Sequence, residues 1–394
     1  MISLYIDPMS GIALFNVLLA LIMSFWRRIL NLFKKNNNND YLKSDISIFS
    51  EGNQYYLTFQ PIIEYCLSSK TKIDYYTLDI NDKFLRINSP FINPKFLGFG
   101  KMGYYNFSKI NNKILLSTTP NIGNKSSPLE KPKNVINLIH IFHSISEIGI
   151  YKRHSLDHYD GVFLIGKFQE KMIRESEVKR SIKKKTLFLT GAPYFDSLFN
   201  QVDLKNQTVN DSVLIASSWG NKGLLNNFKL DWLKILDQEM NRKIIIRPHP
   251  QSFKSDTIMI KRLEIIEKLC DNIYIDREIS PLKSMEESCV LISDTSSIRY
   301  DFAFLFNRPV VTIDIPNDNL SEYEMFEFPS NWDNKSREII GSVVSSINEL
   351  NYVFLNNLIE SKTTKININE LRKETVQNMG NSSEIIVKKL QKNY

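Results

Sequence analysis

Short apolar runs rich in β-branched residues alternate with longer amphipathic segments along this chain, and no other feature constrains its fold as strongly. A first series of runs lies between residues 46 and 191, and a second series lies between residues 213 and 314. Strands that alternate with helical segments are typical of parallel sheets joined by helical crossovers. The polar stretch 201–211 separates the two series. The sequence therefore predicts an α/β protein with two facing Rossmann-like domains.

The apolar runs and the helical spacings define the expected elements of each domain. In the first domain, strands are predicted at 46–50, 74–79, 114–118, 134–142, 161–166 and 186–191, with helices at 55–69 and 167–180. In the second domain, strands are predicted at 213–219, 243–250, 272–276, 290–294 and 309–314, with helices at 225–240, 262–269, 282–288 and 300–306. The remaining segment, 338–394, is predicted to be mostly helical.

The length of 394 residues fits about two domains. The predicted boundaries are a membrane anchor at 1–35, an N-terminal Rossmann-like domain at 36–205, and a C-terminal Rossmann-like domain with C-terminal helices at 206–394. Facing α/β domains bind ligands between the carboxyl ends of their strands. We therefore expect the ligand cleft to lie between the two domains.

The N-terminus contains an uncharged apolar run, GIALFNVLLALIMSFW, at residues 11–26, followed at once by Arg27 and Arg28. The run is slightly short for a span of about 20 residues, and it lacks the basic start and the cleavage site of a signal peptide. Two interpretations stay open, a short transmembrane anchor with a cytoplasmic basic end and a helix lying in the interface. The flanking charges count against a buried core helix. We expect attachment to the cytoplasmic face of the cell membrane, with 36–39 as a flexible joint.

Composition narrows the classes of partner. The formal net charge is +7, from 50 Lys and Arg against 43 Asp and Glu, which suits an anionic membrane surface or a phosphorylated substrate. No basic run is interleaved with aromatic residues, so nucleic acid is not an expected partner. Cys66, Cys270 and Cys289 are far apart and lack metal-ligand spacing, which argues against a disulfide framework and a zinc site. Reduced, buried cysteines in a cytosolic compartment are expected.

Hydroxyl-bearing residues directly follow the predicted strand that ends at Asp294. Thr295, Ser296 and Ser297 form the turn into the next helix, and Asp301 lies one turn further. Hydroxyls and backbone N–H groups at a helix N-terminus bind phosphate oxygens. The competing interpretation is that Asp294 or a serine merely caps the helix. We take these five residues as candidate substrate-binding residues.

Histidines at strand ends are the catalytic candidates. Arg247 and His249 lie in an R-P-H-P sequence, where the flanking prolines stiffen the backbone. Arginine offers a fixed fork for phosphate, and histidine can donate a proton or neutralise a leaving phosphate. His143 follows the strand 134–142 in the other domain and is the candidate general base for an attacking hydroxyl. His143 and His249 are therefore predicted to be catalytic, and Arg247 to bind substrate.

The remaining histidines have plainer interpretations. His140 points to the opposite face of its strand from His143 and is predicted to be core. His154 and His158 have the four-residue spacing of metal ligands on one helical turn, but no third ligand is evident, so a surface turn is preferred. G-x-G-x-x-G, Walker A, G-x-S-x-G and HExxH signatures are absent, as is a clear D-x-D at a strand end. The sequence predicts no cofactor and no metal site.

Several blocks together resemble the CDP-glycerol glycerophosphotransferase family, which includes the teichoic acid primases and polymerases. Residues 141–153 are loosely similar to its W-H-G-T-x-x-K-x-x-G block, 191–198 to its G-x-P-R-x-D segment, and 244–250 to its R-P-H-P block. Residues 291–314 match its pattern of I-T-D-Y-S-S, a D-F pair and R-P-I, which is the most specific block. The resemblance covers roughly 134–315.

The chain departs from the family pattern at a few positions within these blocks. Ser144 and Ile145 replace the Gly and Thr that follow the first histidine, and Ile148 replaces the Lys. Tyr194 stands where the family usually has Arg, and Thr295 stands where it has Tyr. These departures concern the identity of donor and acceptor more than the fold.

The resemblance implies a GT-B fold and a bacterial enzyme associated with the cytoplasmic face of the membrane. Such an enzyme transfers glycerol phosphate or ribitol phosphate from a CDP-alditol to a hydroxyl on a lipid-linked acceptor and releases CMP. By resemblance, His143 is the base, while Arg247 and His249 hold or neutralise the pyrophosphate. Residues 295–297 would bind donor phosphate, with Asp301 in the same helix. The first domain would then be the acceptor side and the second the nucleotide-donor side.

The sequence therefore predicts a membrane-associated transferase of cell-surface polysaccharide synthesis, of the teichoic acid or capsule type. Its expected partners are a CDP-alditol donor, a lipid-linked or glycan acceptor, and the membrane. The alternative is a GT-B glycosyltransferase that uses an NDP-sugar and releases a nucleoside diphosphate. A third hypothesis, a membrane-tethered scaffold without turnover, is disfavoured by the presence of Arg247, His249 and the hydroxyl cluster.

Overall fold

A sheet of parallel strands forms the centre of the N-terminal domain. The computed structural model describes Ser44 and residues 46–202, 211–221, 223–240, 242–278, 280–315, 320–329 and 332–393. The strands of the first sheet are β1 (Ile46–Ser50), β2 (Ile73–Thr77), β3 (Ile92–Phe96), β4 (Asn111–Ser117), β5 (Asn134–Ile141), β6 (Gly161–Leu164) and β7 (Thr186–Leu189). Their order is β3-β2-β1-β4-β5-β6-β7, and all pairs are parallel. The predicted parallel sheet is confirmed.

Strand β3 was not predicted, because its sequence, INPKF, contains Pro94. Proline cannot donate to a sheet ladder, so it is confined to edge strands and bulges. Among the described strands β3 pairs only with β2, so it lies at the edge of the sheet, where the missing donor is tolerated.

Helices connect the strands of the first domain. They are α1 (Tyr56–Ser68), α2 (Gly100–Ser108), α3 (Glu170–Lys179) and α4 (Pro193–Phe199). In α1, Phe59, Ile62, Ile63 and Cys66 are buried, and their three- and four-residue spacing puts them on one face of the helix. The predicted helix at 55–69 is thus confirmed to within a residue at each end.

The second domain repeats this architecture. Its strands are β8 (Ser212–Ala216), β9 (Ile244–Arg247), β10 (Ile273–Ile275), β11 (Ser288–Ser293), β12 (Val310–Ile313) and β13 (Gly341–Val344), in the order β10-β9-β8-β11-β12-β13. All of these pairs are parallel. Strand β13 was not predicted. Its first residue must be small, because a Cβ at Gly341 would lie 1.8 Å from the Val310 carbonyl oxygen.

The helices of the second domain follow most of the predicted positions. They are α5 (Leu224–Asn227), α6 (Asp231–Met240), α7 (Ser252–Ser255), α8 (Thr257–Leu269), α9 (Leu282–Glu286), α10 (Ile298–Phe306), α11 (Glu324–Glu327), α12 (Trp332–Ile339), α13 (Tyr352–Glu360), α14 (Lys362–Thr375) and α15 (Ser382–Asn393). The helix predicted at 262–269 is longer than expected, since α8 begins at Thr257.

Residues 45–394 form one compact unit, and a shared apolar core joins its two domains. One buried cluster includes Leu115 of the first sheet, Leu291 of the second sheet, and Phe195 and Phe302 of the helices α4 and α10. Separate clusters cover the other face of each sheet. The strand order reverses between β1 and β4 and again between β8 and β11, and such reversals open a ligand crevice at the carboxyl ends of the strands.

The C-terminal helix α15 returns to the first domain and packs against α1 and α4. The Asp196 carboxylate in α4 accepts hydrogen bonds from the amides of Gly380 at 2.7 Å and Ser382 at 3.1 Å, and also from the Ser382 hydroxyl. Asp196 thereby satisfies backbone donors at the start of α15. The proposed domain boundary near residue 205 falls outside the described residues and stays a prediction.

The predicted membrane location is corrected. The anchor at 1–35, with its apolar run at 11–26, lies outside the described residues. Within the described chain, no helix is both long and apolar enough to cross a membrane. The longest of these, α14, has 14 residues, or about 21 Å at 1.5 Å per residue, against a hydrocarbon core of about 30 Å. A location at the cytoplasmic face of the membrane, held by an N-terminal anchor, has no support in this structure.

Candidate active site

The predicted site residues of the second domain lie where three neighbouring strands end in register. Arg247 of β9 is paired with Ala216 of β8, and Ala216 is paired with Ser293 of β11. The residues that follow these strands therefore emerge together at one edge of the sheet, on both sides of the strand reversal. His249 is among them, as is the turn that contains Asp294. The fold thus brings residues about 45 positions apart to one place, since parallel strands share the direction of their carboxyl ends.

Asp294 is the centre of a hydrogen-bond network at this edge. Its buried carboxylate accepts from the Ser217 hydroxyl at 3.0 Å, the Ser218 amide and hydroxyl, each at 3.0 Å, and the Leu224 amide at 2.8 Å. The Ser296 amide donates to it at 3.0 Å. Because a carboxylate only accepts, these donors fill its capacity and tie the loop after β8 to the turn after β11. This geometry favours a positioning role; the predicted role of Asp294 in substrate binding stays a prediction.

The turn hydroxyls lie beside this network. Thr295 is exposed, Ser296 and Ser297 are half-buried, and Ser297 is the residue before α10. The hydrogen bonds these residues make within the described chain run through backbone groups, such as the Thr295 and Ser296 carbonyls that accept from Arg299. The hydroxyls are therefore available to a ligand at a helix N-terminus, where the dipole favours negative charge.

Arg299 places a positive charge beneath the turn. Its side chain is buried and donates to the Asp333 carboxylate at 2.9 Å and to the Ser296 carbonyl at 3.0 Å. Burial opposes the charged form, but the interaction with Asp333 outweighs it and raises the pKa of Arg299. The guanidinium thus stays charged and holds the turn from below.

His249 is half-buried in the loop after β9, with the exposed Trp219 ring 6.5 Å away between centroids. The Gln251 amide donates to its Nδ1 atom at 3.1 Å, so a neutral ring carries its proton on Nε2. Burial lowers the pKa of His249, and the nearby Asp294 carboxylate opposes that shift. The geometry therefore offers a neutral Nε2–H donor at the strand edge.

Arg247 is buried at the end of β9, and its Nη1 atom donates to Asp276 Oδ2 at 2.5 Å. The ion pair uses part of the guanidinium fork. The predicted phosphate contact of Arg247 stays a prediction, and the pair with Asp276 fixes the direction in which the fork points.

Asp301 faces the first domain. The hydroxyl of Tyr194, in α4, donates to its Oδ1 atom at 2.9 Å. Burial raises the pKa of Asp301 to about 7, and the hydrogen bond from Tyr194 opposes that rise. The contact places the Asp301 carboxyl on the interface between the domains, and its predicted role in substrate binding stays a prediction.

His143 lies after β5 at the carboxyl edge of the first sheet. The Tyr55 ring meets its imidazole edge to face, with centroids 5.1 Å apart. Burial lowers the pKa of His143 to about 4, and its Nδ1 atom is buried without a hydrogen-bond partner among the described residues. The ring is therefore neutral at pH 7, which is the form that a general base requires.

The loop after β5 contacts the second domain near the hydroxyl turn. The Ile145 amide donates to the Tyr194 hydroxyl, which in turn donates to Asp301 in α10. The Asp333 amide donates to the Glu147 carboxylate at 3.3 Å. The segments that carry the base candidate and the hydroxyl turn are therefore linked across the domain interface through Tyr194 and Asp333.

The other histidines lie either in the core or at the surface. His140 is fully buried, and its Nε2 atom lies 3.1 Å from the Tyr151 hydroxyl. His154 Nδ1 lies 2.6 Å from Asp157 Oδ2. Over the residues that the structure describes, no group of three His, Cys, Asp or Glu side chains is arranged to hold a metal ion.

Sequence reasoning missed several residues at the two strand edges. Ser217 and Trp219 were assigned to a strand at 213–219, whereas β8 ends at Ala216 and these residues form the loop. Glu51 directly follows β1, at the reversal of the first sheet, and Tyr55 lies four residues further. The rule that ligands bind after the strands next to a reversal would have singled out both positions, had the strand order been known.

Comparisons with known proteins agree with this architecture. The family model described as CDP-glycerol:poly(glycerophosphate) glycerophosphotransferase matches residues 151–392. That range contains Arg247, His249 and the hydroxyl turn, and it begins after His143. Among curated protein sequences, none matches the chain.

Solved structures share the fold at low sequence identity. The wall teichoic acid polymerase TagF superposes with a TM-score of 0.59 at 15% identity, covering 97% of this chain and 98% of that one. The UDP-bound MnaA from S. aureus gives a TM-score of 0.58 at 12% identity, covering 89% of this chain and 96% of that one. The UDP-GlcNAc 2-epimerase of Methanocaldococcus jannaschii gives 0.55 at 14%, covering 89% and 99%. At these identities the likeness shows the fold alone, that of two parallel-sheet α/β domains.

Proposed function

This chain belongs to the CDP-glycerol:poly(glycerophosphate) glycerophosphotransferase family, and from that membership we propose that it transfers glycerol phosphate from CDP-glycerol to a hydroxyl of a lipid-linked or surface-glycan acceptor. Family and fold together make it a CDP-glycerol-dependent phosphotransferase. The acceptor class, the synthesis of a teichoic acid or capsule polymer, and the roles of single residues are parts of the proposal.

The proposed reaction is a displacement at phosphorus. The acceptor oxygen attacks the phosphorus that carries glycerol, a new P–O bond forms, and the bond from that phosphorus to the bridging oxygen breaks. CMP leaves with the bridging oxygen, and the acceptor proton passes to His143. Because charge on the phosphates must be stabilised as the leaving group departs, preorganised donors at the donor site supply most of the catalysis.

One observation carries the assignment of the donor site: His249 and the turn hydroxyls converge on the strand reversal of the second sheet, around the Asp294 network. In the proposal, the Nε2–H group of His249 donates to the pyrophosphate, and residues 295–297 bind its oxygens at the start of α10. Arg247 contributes positive charge from the end of β9.

Substitution of His249 by alanine tests this assignment. We expect His249→Ala to lower the rate of acceptor-dependent CMP release by at least about 100-fold, because a positioned proton donor contributes roughly 10²–10⁴-fold. Purified protein would receive CDP-glycerol, CDP-ribitol and UDP-sugars separately, and the released nucleotide would be quantified. His158→Ala, at an exposed position, is the matched control and should retain full activity.

The outcomes separate the hypotheses. Release of CMP from CDP-ribitol alone would show that ribitol phosphate is transferred instead of glycerol phosphate. Release of UDP from a sugar donor would show that the protein is a glycosyltransferase. Wild-type turnover in a folded His249→Ala protein would overturn the assignment of the donor site.

A further inference from the structure

Glu51 occupies a position in the first domain that matches the donor site of the second. It is the first residue after β1, next to the reversal of strand order. Strand β1 pairs with β4, and β4 pairs with β5, so the residues that follow these strands, Thr119 and His143, emerge at the same edge. Ligands of parallel sheets bind at this edge.

Four side chains form a niche here. The Tyr55 hydroxyl interacts with the Glu51 carboxyl, while the Tyr55 ring contacts the His143 imidazole at 5.1 Å between centroids. The buried Thr119 hydroxyl is near Glu51 and lowers the pKa of its carboxyl, and the Thr119 carbonyl accepts a hydrogen bond from the Tyr159 hydroxyl. Glu51, Tyr55 and His143 are each half-buried, so the niche is open to a ligand.

Hydrogen-bond acceptors dominate the niche. Burial raises the pKa of Glu51, and the hydroxyls of Thr119 and Tyr55 oppose that rise. Among the ion pairs of the described chain, none includes Glu51. His143 is neutral at pH 7, because burial lowers its pKa to about 4, and its buried Nδ1 atom has no partner within the described part. Glu51 would repel a phosphate, whereas an uncharged compound with neighbouring hydroxyls brings the donors that these acceptors need.

We propose that Glu51, held by Tyr55 beside His143, binds the acceptor through its terminal hydroxyls, and that the niche selects an uncharged vicinal diol such as the glycerol end of a glycerophosphate chain. One hydroxyl donates to the Glu51 carboxylate, and its neighbour faces His143. The inference rests on the proposed function, which supplies the hydroxyl acceptor. A site built to bind a hydroxyl discriminates strongly against an analogue that lacks it.

Calorimetric titration with two separate ligands tests the proposal. The first ligand is a water-soluble glycerophosphate oligomer with a free terminal glycerol, and the second is CDP-glycerol. We expect Glu51→Gln to weaken binding of the oligomer at least tenfold and to leave the dissociation constant of CDP-glycerol within twofold. Glu64→Gln is the matched control, because Glu64 is an exposed carboxylate on α1 that bonds only Gln60 in the described chain; it should change neither constant.

The binding preference for a free diol would not change if Glu51 had only a structural role, so it tests direct contact with the acceptor. An oligomer whose terminal glycerol has one hydroxyl methylated should bind wild-type protein at least tenfold more weakly than the free diol, and Glu51→Gln should lose this preference. Tyr55→Phe keeps the ring against His143 and removes the hydroxyl, so we expect a loss of acceptor affinity smaller than that of Glu51→Gln.

Each result decides the proposal. Oligomer binding within twofold of wild type in Glu51→Gln overturns it, as does an equal loss of CDP-glycerol binding or a wild-type protein that does not bind the oligomer. A wild-type protein that binds the oligomer but not CDP-glycerol counts against the proposed function and leaves the diol site standing.

Discussion

At the scale of single residues, one buried carboxylate, that of Asp294, accepts five hydrogen bonds and so holds together the strand ends of the proposed CDP-glycerol site. Asp294 was predicted from its place at a strand end, and that prediction needed only local sequence. Its hydrogen bonds to Ser217 and Ser218 join residues about 76 positions apart, so no local pattern reveals them. The sequence therefore locates the residue, while its chemistry comes from the pairing of β8 with β11.

Replacing Asp294 by asparagine should damage both stability and donor binding. The amide keeps one acceptor oxygen and turns an NH2 group toward groups that themselves donate. We expect a loss of about 1–3 kcal/mol in the free energy of unfolding, since buried donors lose their partner, and at least a tenfold weaker affinity for CDP-glycerol. Urea unfolding and calorimetric titration measure the two effects.

Asp314→Asn is the matched control for that experiment. Asp314 forms an ion pair with Arg337 at 2.9 Å and is about half exposed, so the expected loss is at most about 1 kcal/mol. Equal losses of unfolding free energy in the two variants would show that the hydrogen-bond network around Asp294 stabilises the fold no more than an exposed ion pair does.

The same limit explains which candidate residues sequence analysis could locate at a strand end and which contacts it could not predict. His143, His249 and the turn hydroxyls follow apolar runs, so a strand-end rule found them. The direction of Asp301 could not be predicted, because its partner, Tyr194, lies in another domain. Glu51 was missed because a single glutamate after a strand has no signature until the strand order is known.

At the scale of secondary-structure elements, sequence patterns predicted the described strands of both sheets except β3 and β13, each of which lies at one edge of its sheet. The central strands β4, β8, β9 and β11 contain uninterrupted runs of Ile, Leu or Val, because both faces of each sheet are covered. The edge strands β3 and β13 carry Pro94 and Gly341, which weaken the strand signal. These residues are tolerated there, since an edge strand needs only one hydrogen-bonded neighbour.

Helices α3 and α11 are joined by a buried ionic cluster. Arg180, just after α3, donates to Glu324 at 3.0 Å, Glu327 at 2.9 Å and Asp157 at 2.9 Å. Hydrogen bonds from Arg180, together with those from Arg153, lower the pKa of Glu327 to about 2. The cluster ties a segment of the second domain to the first.

Arg180→Met should be strongly destabilising. It removes the shared cation and leaves carboxylates that are less than a tenth exposed, Glu324 and Glu327, without their main partner. Breaking a buried pair in this way costs about 3–5 kcal/mol in the free energy of unfolding, which urea unfolding would measure. The neighbouring Lys179→Met is the control: its side chain is 55% exposed, so a change below about 1 kcal/mol is expected. A similar small loss for both would contradict the role of the cluster.

On the scale of the whole molecule, long-range contacts join the two domains into one compact unit. The sequence predicted two similar halves but could not predict the return of α15, because the hydrogen bonds between Asp196 and Ser382 join residues 186 positions apart. The same holds for the contact of Tyr194 with Asp301. The repeating strand and helix patterns predict the two domains along the chain. The contacts between the domains depend on how both halves pack, so these patterns do not predict them.

The Asp301 carboxyl makes the interface sensitive to pH. Its pKa is raised from 3.8 to about 7 in the folded protein, chiefly by burial, so between these values the folded state binds a proton that the unfolded state has released. The stability that this group contributes is therefore complete below about pH 3.8 and is lost as pH rises through 7. The buried histidines act in the opposite direction, because their lowered pKa values reduce stability as pH falls below about 6.5.

The difference in unfolding free energy between wild type and Asp301→Asn isolates the carboxyl from the histidines. Asparagine is neutral at every pH and can still accept from Tyr194. We expect the variant to gain stability relative to wild type as pH rises from about 4 to 7, and the difference to level off above pH 8. Urea unfolding at half-unit pH intervals measures this difference. Tyr194→Phe is a second variant, and it removes the hydrogen bond that favours the charged form of Asp301. The pKa of Asp301 should therefore rise further, and the difference should level off at a higher pH. A difference that is independent of pH over this range would mean that Asp301 is ionised in the folded protein and that the interface does not titrate.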